Sequence, residues 1–566
     1  MEFTVGMGKS DFEEIRTVGN YYVDKTELLY ELAAKRENKV TLFTRPRRFG
    51  KTLTMSMMAN FFDIRKDSRA IFAGLDIMKH EDFCKEWMNQ RPVLSISLKE
   101  AEGNSFEDAF KMLRTTVANV CKNMTELKES SSVDSSDKEL FNKLVFKSAD
   151  IAEVKDSLKT LMRMLYTAYG RKVILLIDEY DVPLARAKEK DTAENRFFEK
   201  MLDVIRGLMS ASLKDNEFLE FAVVTGCLRI AKESIFTGTN NFASYSVIDE
   251  RFSRYFGFSE EEVGKMLDAA DVKDAADVIR EWYDGYVFGA SHVYCPWDVI
   301  SYLYDLRDNR NALPKNYWEN TSHNGILLSF VKRPEFKVKG KFETLMNGGT
   351  ITQTISDELT YDTLQSSEDN LWSVLLMTGY VTKADPTERG STVSLKIPNR
   401  EVSAIFQSAV ARLFMDTVDR RSQNGLMDAL WNGEEAAASK AISDLLWKTI
   451  SYNDYHEDYY HAFLAGVFTG IGYEVESNKE RGLGRPDILL KDDDNRRALI
   501  IEAKKSAKES DMEADCKAAI GQIASRNYAD GLYGYGYTQV RCYGVAFFRK
   551  KALVKLLEPV SKVCYF

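Results

Sequence analysis

The sequence lacks the features that mark membrane proteins and disulfide-bonded proteins. No window reaches about 18 consecutive apolar residues, and the opening stretch MEFTVGMGKSDFEEIR has no basic segment followed by an apolar core. We therefore predict neither a membrane span nor a signal peptide. The seven cysteines are scattered, odd in number and free of C-x-x-C spacing, which predicts reduced thiols, no zinc site and a cytoplasmic location.

The sequence also has few prolines and no net positive charge. Ten prolines and 32 glycines leave little room for long low-complexity linkers. The formal net charge is -9, so a polyanion would have to meet a local positive surface, such as the arginines within 45–48 or the basic residues within 479–485. With 566 residues the chain exceeds the size at which one hydrophobic core stops growing, which indicates several domains.

Short apolar strands alternate with helical patterns in the first part of the chain, which we place at residues 1–257. The strand-like segments are VTLFT, PVLSISL, VILLID and EFLEFAVVTG. This alternation predicts a parallel sheet covered by helices. The Ser-rich stretch 128–140 interrupts it and is predicted to be an exposed loop or insertion, because small polar residues cannot bury a core.

Two further regions follow. Ser259 and Glu262 have capping-box spacing ahead of apolar residues at helical intervals, so a new helix is predicted to begin there. Residues 258–445 are mostly helical and aromatic, with one β-like piece, STVSLKIPN, and we predict a helical lid and a winged-helix-like module. Residues 446–566 show helix, strand, hairpin, helix and strand in that order, which predicts a separate α/β domain.

The segment TLFTRPRRFGKTLTMSMMANFF ends a loop in Gly50-Lys51-Thr52, as the phosphate-binding motif G-x-x-x-x-G-K-[ST] does. Arg45 stands where the first glycine of that motif belongs. In such a loop the backbone N–H groups surround the phosphates, the lysine reaches the β and γ oxygens, and the hydroxyl holds Mg²⁺. An apolar strand precedes the loop and a helix follows it, which favours a phosphate site at the helix N-terminus.

A nucleotide site also needs carboxylates at the end of a neighbouring strand, and VILLIDEYD supplies them. Asp178 is predicted to join the Mg²⁺ shell, and Glu179 is predicted to polarise the attacking water. A third strand ends at Thr225, and Arg229 follows it. Both are candidates for sensing the γ-phosphate, although Arg229 is equally suited to a surface ion pair.

These segments resemble the predicted AAA-ATPase-like proteins of bacteria and archaea that carry a C-terminal PD-(D/E)XK nuclease-like domain. The resemblance covers nearly the whole chain. It rests on YYVDKTELL, RPRRFGKTL, LIDEYDVPL, TGCLRIAKESIFTGTNNF, WYDGYVFG, VYCPWDVISYL and the C-terminal region.

The resemblance implies a P-loop NTPase fold followed by a restriction-endonuclease-like α/β domain. In the family R-P-R-R-F-G-K-[ST] is the usual Walker A sequence, which makes Arg45 a family feature and indicates a working phosphate loop. We extend the predicted ATP contacts to Arg47, Arg48 and Phe49.

The C-terminal segment GRPDILLKDDDNRRALIIEAKK contains a candidate metal site. Asp487 starts one apolar strand, and Glu502 and Lys504 end the next. Residues i and i+2 of a strand share a face, so Glu502 and Lys504 are predicted to face Asp487 across the hairpin. Two carboxylates suit Mg²⁺ or Mn²⁺, and Lys504 would orient water or stabilise developing charge. The three residues match the nuclease pattern D…E-x-K.

The resemblance implies two more contributors to this site. Glu457 is the helix-borne carboxylate, although His456 and Asp458 are its close alternatives, and Gln522 lies on the following helix. His461 is expected to be an ordinary helix-face residue. A working site has two alternatives. Either the charges of the hairpin serve only to protect an edge strand from pairing, or the domain has a nuclease fold without activity.

Two functions follow from these predictions. In the first, ATP binding or hydrolysis controls a metal-dependent nuclease that acts on nucleic acid, DNA in the first place, in defence or repair. In the second, the protein is a nucleotide-switched signalling or scaffold ATPase whose C-terminal domain only recognises a partner. A homo-oligomer is compatible with both.

Overall fold

The computed structural model describes most of the chain and divides it into two compact units. The first unit comprises residues 1–322 and 352–401, and the second comprises 323–351 and 402–566. The described residues are 3–34, 37–192, 194–228, 242–318, 338–346, 348–356, 359, 367–406, 420–449, 457–471, 473–476, 486–493, 495–526, 528–529, 532–533 and 536–557.

A five-stranded parallel sheet forms the centre of the first unit. The strands are β1 Val40–Thr44, β2 Val93–Ser97, β3 Val173–Asp178, β4 Leu219–Gly226 and β5 Phe242–Tyr245. They lie in the order β2-β3-β4-β1-β5, and all neighbours are parallel. Every residue of β1 and β3 is buried, as expected for a parallel sheet covered on both faces. The predicted P-loop-type sheet is therefore confirmed.

Helices connect and cover these strands. Their bounds are Phe12–Val18, Glu27–Ala33, Lys51–Phe62, Arg69–Phe72, Glu81–Trp87, Phe106–Lys122, Glu126–Glu129, Ser135–Val145, Ile151–Tyr169, Val182–Glu189 and Phe197–Leu213. The loop predicted for 128–140 is wrong in its second half. The Asp134 carboxylate accepts a hydrogen bond from the backbone N–H of Ser136 at 2.8 Å, and Phe141 and Leu144 enter the core, so a capped helix forms there.

Residues 258–401 add helices Glu260–Ala270, Ala276–Tyr283, Pro296–Asp308 and Glu368–Thr378. The predicted capping box is confirmed, because Ser259 and Glu262 exchange hydrogen bonds at 2.7 and 3.2 Å. Within its described residues the region contains five strands where the sequence predicted one, since most are too short to show an alternating pattern. They are β6 Tyr286–Phe288, β7 Ser291–Val293, β8 Ile351–Thr354, β9 Thr382–Lys383 and β10 Thr392–Lys396.

Strands β6 and β7 form a hairpin, and β8, β10 and β9 form a sheet in that order. Residues 258–322 and 352–401 belong to the phosphate-loop unit, whereas the rest of the predicted middle region belongs to the second unit. One physical reason is the ion pair between Lys25 and Glu262, at 2.6 Å, which joins the N-terminal segment to the capped helix. The predicted boundaries after residues 257 and 445 therefore differ from the limits of the compact units.

The second unit contains a five-stranded sheet in the order β11-β12-β13-β14-β15. The strands are β11 Glu474–Glu476, β12 Ile488–Asp492, β13 Arg497–Lys505, β14 Gln539–Phe548 and β15 Lys551–Leu556. Strands β12 and β13 are an antiparallel hairpin, and β14 is parallel to β13. The helices are Lys339–Met346, Arg420–Asn432, Glu435–Thr449, Glu457–Ile471 and Met512–Ser525. The predicted α/β domain is confirmed, with β15 as an addition.

Short 3₁₀ segments complete the structure at Asp76–Lys79, Ser253–Tyr255, Lys273–Ala275 and Glu509–Asp511. No helix among the described residues has the length and apolarity needed to cross a bilayer.

Candidate nucleotide and nuclease sites

The phosphate loop, residues 45–50, joins β1 to the helix Lys51–Phe62. Gly50 precedes the helix with a φ of +81°, a left-handed conformation that strains any side chain with a Cβ. The ammonium group of Lys51 is held inside the loop, where it donates hydrogen bonds to the carbonyl oxygens of Arg45 at 2.9 Å and Pro46 at 2.8 Å. The loop therefore presents a cation and a free helix N-terminus together.

Arg45 occupies the position of the missing glycine without entering the loop. Its side chain is fully buried, with the guanidinium carbon 4.9 Å from the ring centroid of Phe256 and 5.6 Å from that of Phe288. One guanidinium nitrogen donates to the carbonyl oxygens of Thr44 and Tyr245 at 2.9 and 2.8 Å. Burial lowers the pKa of Arg45 to about 9. This arginine is thus a packing residue and does not belong to a basic surface.

Asp178, at the end of β3, accepts hydrogen bonds from two hydroxyl groups. Thr52 donates to one carboxylate oxygen at 2.8 Å, and Thr225 donates to the other. The contact is possible because β4, which carries Thr225, lies between β1 and β3. The Thr225 hydroxyl also accepts from the backbone N–H of Glu179 at 3.4 Å. The three strands therefore bring Thr52, Asp178 and Thr225 to one point.

Glu179 follows Asp178 in a strained conformation, with a φ of +53°. Burial, and then the neighbouring Asp178 carboxylate, raise the pKa of Glu179, while Lys51 and Lys99 act in the opposite direction. A carboxylate with a raised pKa is a better proton acceptor than an ordinary glutamate. The arrangement can therefore supply a general base one residue from Asp178, the carboxylate predicted to bind Mg²⁺.

The segment after β4 is fixed by residues that sequence reasoning missed. The buried Asp181 carboxylate accepts from the backbone N–H groups of Cys227 and Leu228 at 2.9 and 3.0 Å. The Tyr180 hydroxyl donates to the carbonyl oxygen of Leu228 at 2.8 Å. The only signal was their position in the string DEYD, directly after the predicted carboxylate pair. Arg229, the second predicted phosphate sensor, lies outside the described residues.

Three aromatic side chains, Tyr286, Phe288 and Trp297, hold the outer part of the phosphate loop, and we call them the aromatic clasp. The ring of Phe49 is buried at 5.0 Å from Tyr286 and 4.9 Å from Phe288, centroid to centroid. The guanidinium carbon of Arg48 lies 4.1 Å from the ring centroid of Trp297. The Phe49 side chain is therefore used for packing. Only the backbone of Phe49 is left for the predicted contact with ATP.

Arg47 and Arg48 are both exposed on the loop. The clasp residues lie in the segments WYDGYVFG and VYCPWDVISYL. These segments contributed to the family resemblance, but the sequence predicted no role for them. Contacts between residues about 240 positions apart leave no local pattern, so their role could not be read from the sequence.

The C-terminal carboxylates converge as the strand register predicts. Ile488 pairs with Ile501, so Asp487 lies opposite Glu502. The backbone N–H of Asp487 donates to Glu502 at 3.4 Å, and the Asp487 carboxylate accepts from the backbone N–H of Ala503 at 2.8 Å. Gln522, on the helix Met512–Ser525, donates to the other Glu502 oxygen. Three of the predicted residues are therefore in direct contact.

The electrostatics of this cluster favour a cation. Glu502 is buried, and burial followed by the Asp487 charge raises its pKa to about 8, while Lys504 and Arg526 act in the opposite direction. Lys504 shares the strand face of Glu502, two positions along β13. A divalent cation would relieve the repulsion between the two carboxyl groups. The hairpin thus has the charge pattern of a metal site.

His461 is a residue of this site that sequence reasoning underrated. It is buried, and its Nε2 is hydrogen-bonded to the backbone carbonyl of Asp487. The helix that carries it begins at Glu457, whose side chain lies outside the described residues, as do Lys479 and Arg485. In the described part of the chain no three His, Cys, Asp or Glu side chains are grouped closely enough to hold a metal ion by themselves.

Each of the two units contains a segment that matches a known protein family. Residues 6–236 match the family model described as "Predicted AAA-ATPase", and residues 455–556 match that of the PD-(D/E)XK nuclease superfamily. The chain therefore carries an AAA-ATPase-like domain and a PD-(D/E)XK nuclease-like domain. Over 495 residues it is 24% identical to "Uncharacterized protein in vnfD 5'region" of Azotobacter chroococcum mcd 1, covering 86% of each chain. The family matches confirm the resemblance drawn from the sequence motifs.

Proposed function

We propose that this protein binds and hydrolyses ATP at the phosphate loop and that its nucleotide state controls a Mg²⁺- or Mn²⁺-dependent nuclease in the C-terminal domain. The proposed substrate is nucleic acid, and DNA is preferred over RNA as the candidate. The observation that carries the ATPase part is the contact of Thr52 and Thr225 with Asp178, because two strands and the helix after the phosphate loop are needed to assemble it.

At the first site, Thr52 and Asp178 are the residues that would hold Mg²⁺, which would neutralise the charge of the phosphates. Lys51 would exchange the carbonyl oxygens of Arg45 and Pro46 for phosphate oxygens. Glu179 would accept the proton of the attacking water, for which its raised pKa and fixed position suit it. Arg47 and Arg48 are exposed and are proposed to contact the outer phosphate.

At the second site, Asp487 and Glu502 are the proposed metal ligands, with Glu457 as a third carboxylate from the flanking helix. A bound divalent cation supplies Lewis-acid activation of a phosphodiester. Lys504 would hold the attacking water or the developing charge, and Gln522 fixes the rotamer of Glu502 through its hydrogen bond. The position of Asp487 opposite the buried Glu502 is the observation that supports this assignment.

The experiment uses the purified full-length protein with supercoiled plasmid, single-stranded DNA and RNA, with Mg²⁺ or Mn²⁺ and with or without ATP. Cleavage is expected to require the metal and to respond to ATP. It should disappear in Asp487→Ala and in Lys504→Ala, while ATP binding persists in both variants. Intact substrates under every condition would remove the nuclease part of the proposal.

One observation favours a second function. Within the described residues, the C-terminal cluster has fewer than three metal-ligating side chains. A nuclease-like domain with too few ligands would bind a nucleic acid or a partner without cutting it, and the protein would then be a nucleotide-switched signalling or scaffold ATPase. Metal titration by calorimetry separates the two functions, because the recognition domain would give no divalent-metal binding that depends on Asp487.

A further inference from the structure

Two buried carboxyl groups lie close to the phosphate loop and have no part in the chemistry proposed above. Asp298 and Glu401 are both fully buried. Asp298 is in the first turn of the helix Pro296–Asp308, directly after Trp297, the clasp residue on which Arg48 stacks. The segment VYCPWDVISYL therefore brings a carboxyl group to the loop as well as an aromatic ring.

Asp298 and Glu401 act on each other electrostatically. Burial raises the pKa of Asp298 to about 6 and raises the pKa of Glu401 well above its usual value. Two adjacent carboxyl groups in a medium of low polarity cannot both be ionised. Glu401 has the more strongly raised pKa, so we place the proton of the pair on Glu401. Asp298 is then the charged member of the carboxyl pair at neutral pH.

The charge on Asp298 has little local compensation. Both of its carboxyl oxygens are buried and have no hydrogen-bond partner in the described part of the chain. The cation that acts on it is Arg48, whose charge lowers the pKa of Asp298. Arg48 has a φ of +72° and is held against the ring of Trp297. The guanidinium is therefore held against the residue that directly precedes Asp298 in the chain.

Glu401 connects this pair to the limits of the first unit. Its Oε1 accepts a hydrogen bond from the backbone N–H of Trp318 at 2.8 Å. The chain leaves the first unit after residue 322, returns at 352 and leaves again after Glu401. The bond between Trp318 and Glu401 thus joins the chain close to both exits.

We propose that Asp298 senses nucleotide through Arg48, and that Glu401 passes the change to the segments at which the chain leaves the first unit. The inference rests on the proposed ATP binding at the phosphate loop. The Asp298 carboxylate and a nucleotide phosphate compete for one guanidinium group. Phosphate binding draws Arg48 away from Asp298, which changes the charge balance of the carboxyl pair and the hydrogen bond to Trp318.

A double-mutant cycle tests the competition. The affinity of the full chain for a fluorescent N-methylanthraniloyl derivative of ATP with Mg²⁺ is measured for the parent, Asp298→Asn, Arg48→Ala and the double variant. Asp298→Asn should tighten binding about fivefold in the parent and no more than about twofold once Arg48 is absent. Equal effects in both backgrounds would overturn the proposal, because the charge would then act on the phosphate directly.

Two further variants test the assignment of the proton and the transmission. Glu401→Gln keeps an acceptor for Trp318 and the neutral state of the side chain, so its affinity should stay within about twofold of the parent. An effect as large as that of Asp298→Asn would contradict a charge localised on Asp298. Glu401→Leu loses the hydrogen bond to Trp318 and should erase any difference between tryptic digests made with and without ATP. A preserved difference would contradict the transmission.

Asp308→Asn is the matched control, since Asp308 is exposed on the same helix. Circular dichroism confirms folding of every variant. A parent that fails to bind the ATP derivative in a Lys51-dependent way would remove the proposed function and this inference together. Lys51-dependent binding with an additive cycle would remove only the inference.

Discussion

Thr225 donates a hydrogen bond from its hydroxyl to the carboxylate of Asp178, across the neighbouring strands β3 and β4. Both groups are buried at the end of the first sheet. The sequence placed Thr225 at the end of a strand and suggested contact with the γ-phosphate. In the structure its hydroxyl is engaged by Asp178 and by the backbone of Glu179, so its effect on nucleotide would pass through the carboxylate.

Replacing Thr225 by valine should therefore destabilise the first unit. The substitution keeps the shape but leaves a buried carboxylate without one donor, which costs about 1–3 kcal/mol. Thr225→Ser restores the donor and should recover most of the loss. Urea denaturation of the three proteins measures the effect, and equal midpoints for valine and the parent would show that the bond contributes nothing.

Lys51→Ala should weaken ATP binding roughly 10- to 100-fold, because a hydrogen-bonded charge contributes about 1.5–3 kcal/mol. Glu179→Gln should bind ATP and retain it, since the group that accepts the water proton is lost. Equilibrium binding and single-turnover hydrolysis measure the two effects. Lys122→Ala, at an exposed helix end, is the control. A Lys51 variant that binds as tightly as the parent would show that the loop is no phosphate site.

Arg45→Gly restores the glycine of the general phosphate-loop motif, yet it should harm the protein. The substitution removes a fully buried side chain from between Phe256 and Phe288, and a cavity of that size costs about 3 kcal/mol or more. Arg45→Met keeps most of the volume and should lose less. Thermal unfolding compares the two variants, and a glycine variant as stable as the parent would contradict the packing role.

Whether a feature could be predicted from the sequence depends on how far apart in the chain the interacting residues are. Local signals were sufficient for the phosphate loop, the capping box at Ser259 and the hairpin with Asp487 and Glu502, because strand and helix periodicity act over a few residues. The ring stacking of Arg48 on Trp297 joins positions far apart in the chain and had no local signal. The same holds for the contact of His461 with the Asp487 carbonyl.

Gln522→Ala should lower metal-dependent cleavage about 10- to 100-fold if the nuclease is active, because the hydrogen bond to Glu502 orients a proposed ligand. The overall fold should persist, since Gln522 is only partly buried. Lys517→Ala, exposed on the same helix, is the control. Cleavage rates and metal affinity are measured together, and a loss of rate with unchanged metal affinity would place Gln522 outside the metal site.

The carboxyl pair should give the first unit a measurable dependence of stability on pH. A carboxyl group with a raised pKa binds its proton more tightly in the folded chain than in the unfolded chain. Its stabilising contribution is complete below its usual pKa near 4 and is lost as the pH rises through the folded value, which for Asp298 is about 6. The parent should therefore lose stability between about pH 4 and pH 7.

Several neighbouring groups influence the pKa values of Asp298 and Glu401. They are the Cys295 thiol, the Arg48 guanidinium, the hydroxyls of Tyr283, Tyr286 and Tyr317, and the backbone N–H groups of Tyr317 and Trp318. Of these, only Arg48 carries a full charge near neutral pH, so the titration in this range belongs to the two carboxyl groups.

Asp298→Asn combined with Glu401→Gln replaces both groups by neutral side chains of the same shape, which resemble the protonated pair. The double variant should match the parent near pH 4 and exceed it at pH 7 by at least about 3 kcal/mol, since the shift of Asp298 by about two pKa units accounts for that amount and the raised pKa of Glu401 adds to it. Unfolding midpoints of both proteins at pH 4, 5, 6 and 7 measure the difference, with Asp308→Asn as the control. Parallel pH profiles for parent and double variant would show that the two carboxyl groups titrate normally.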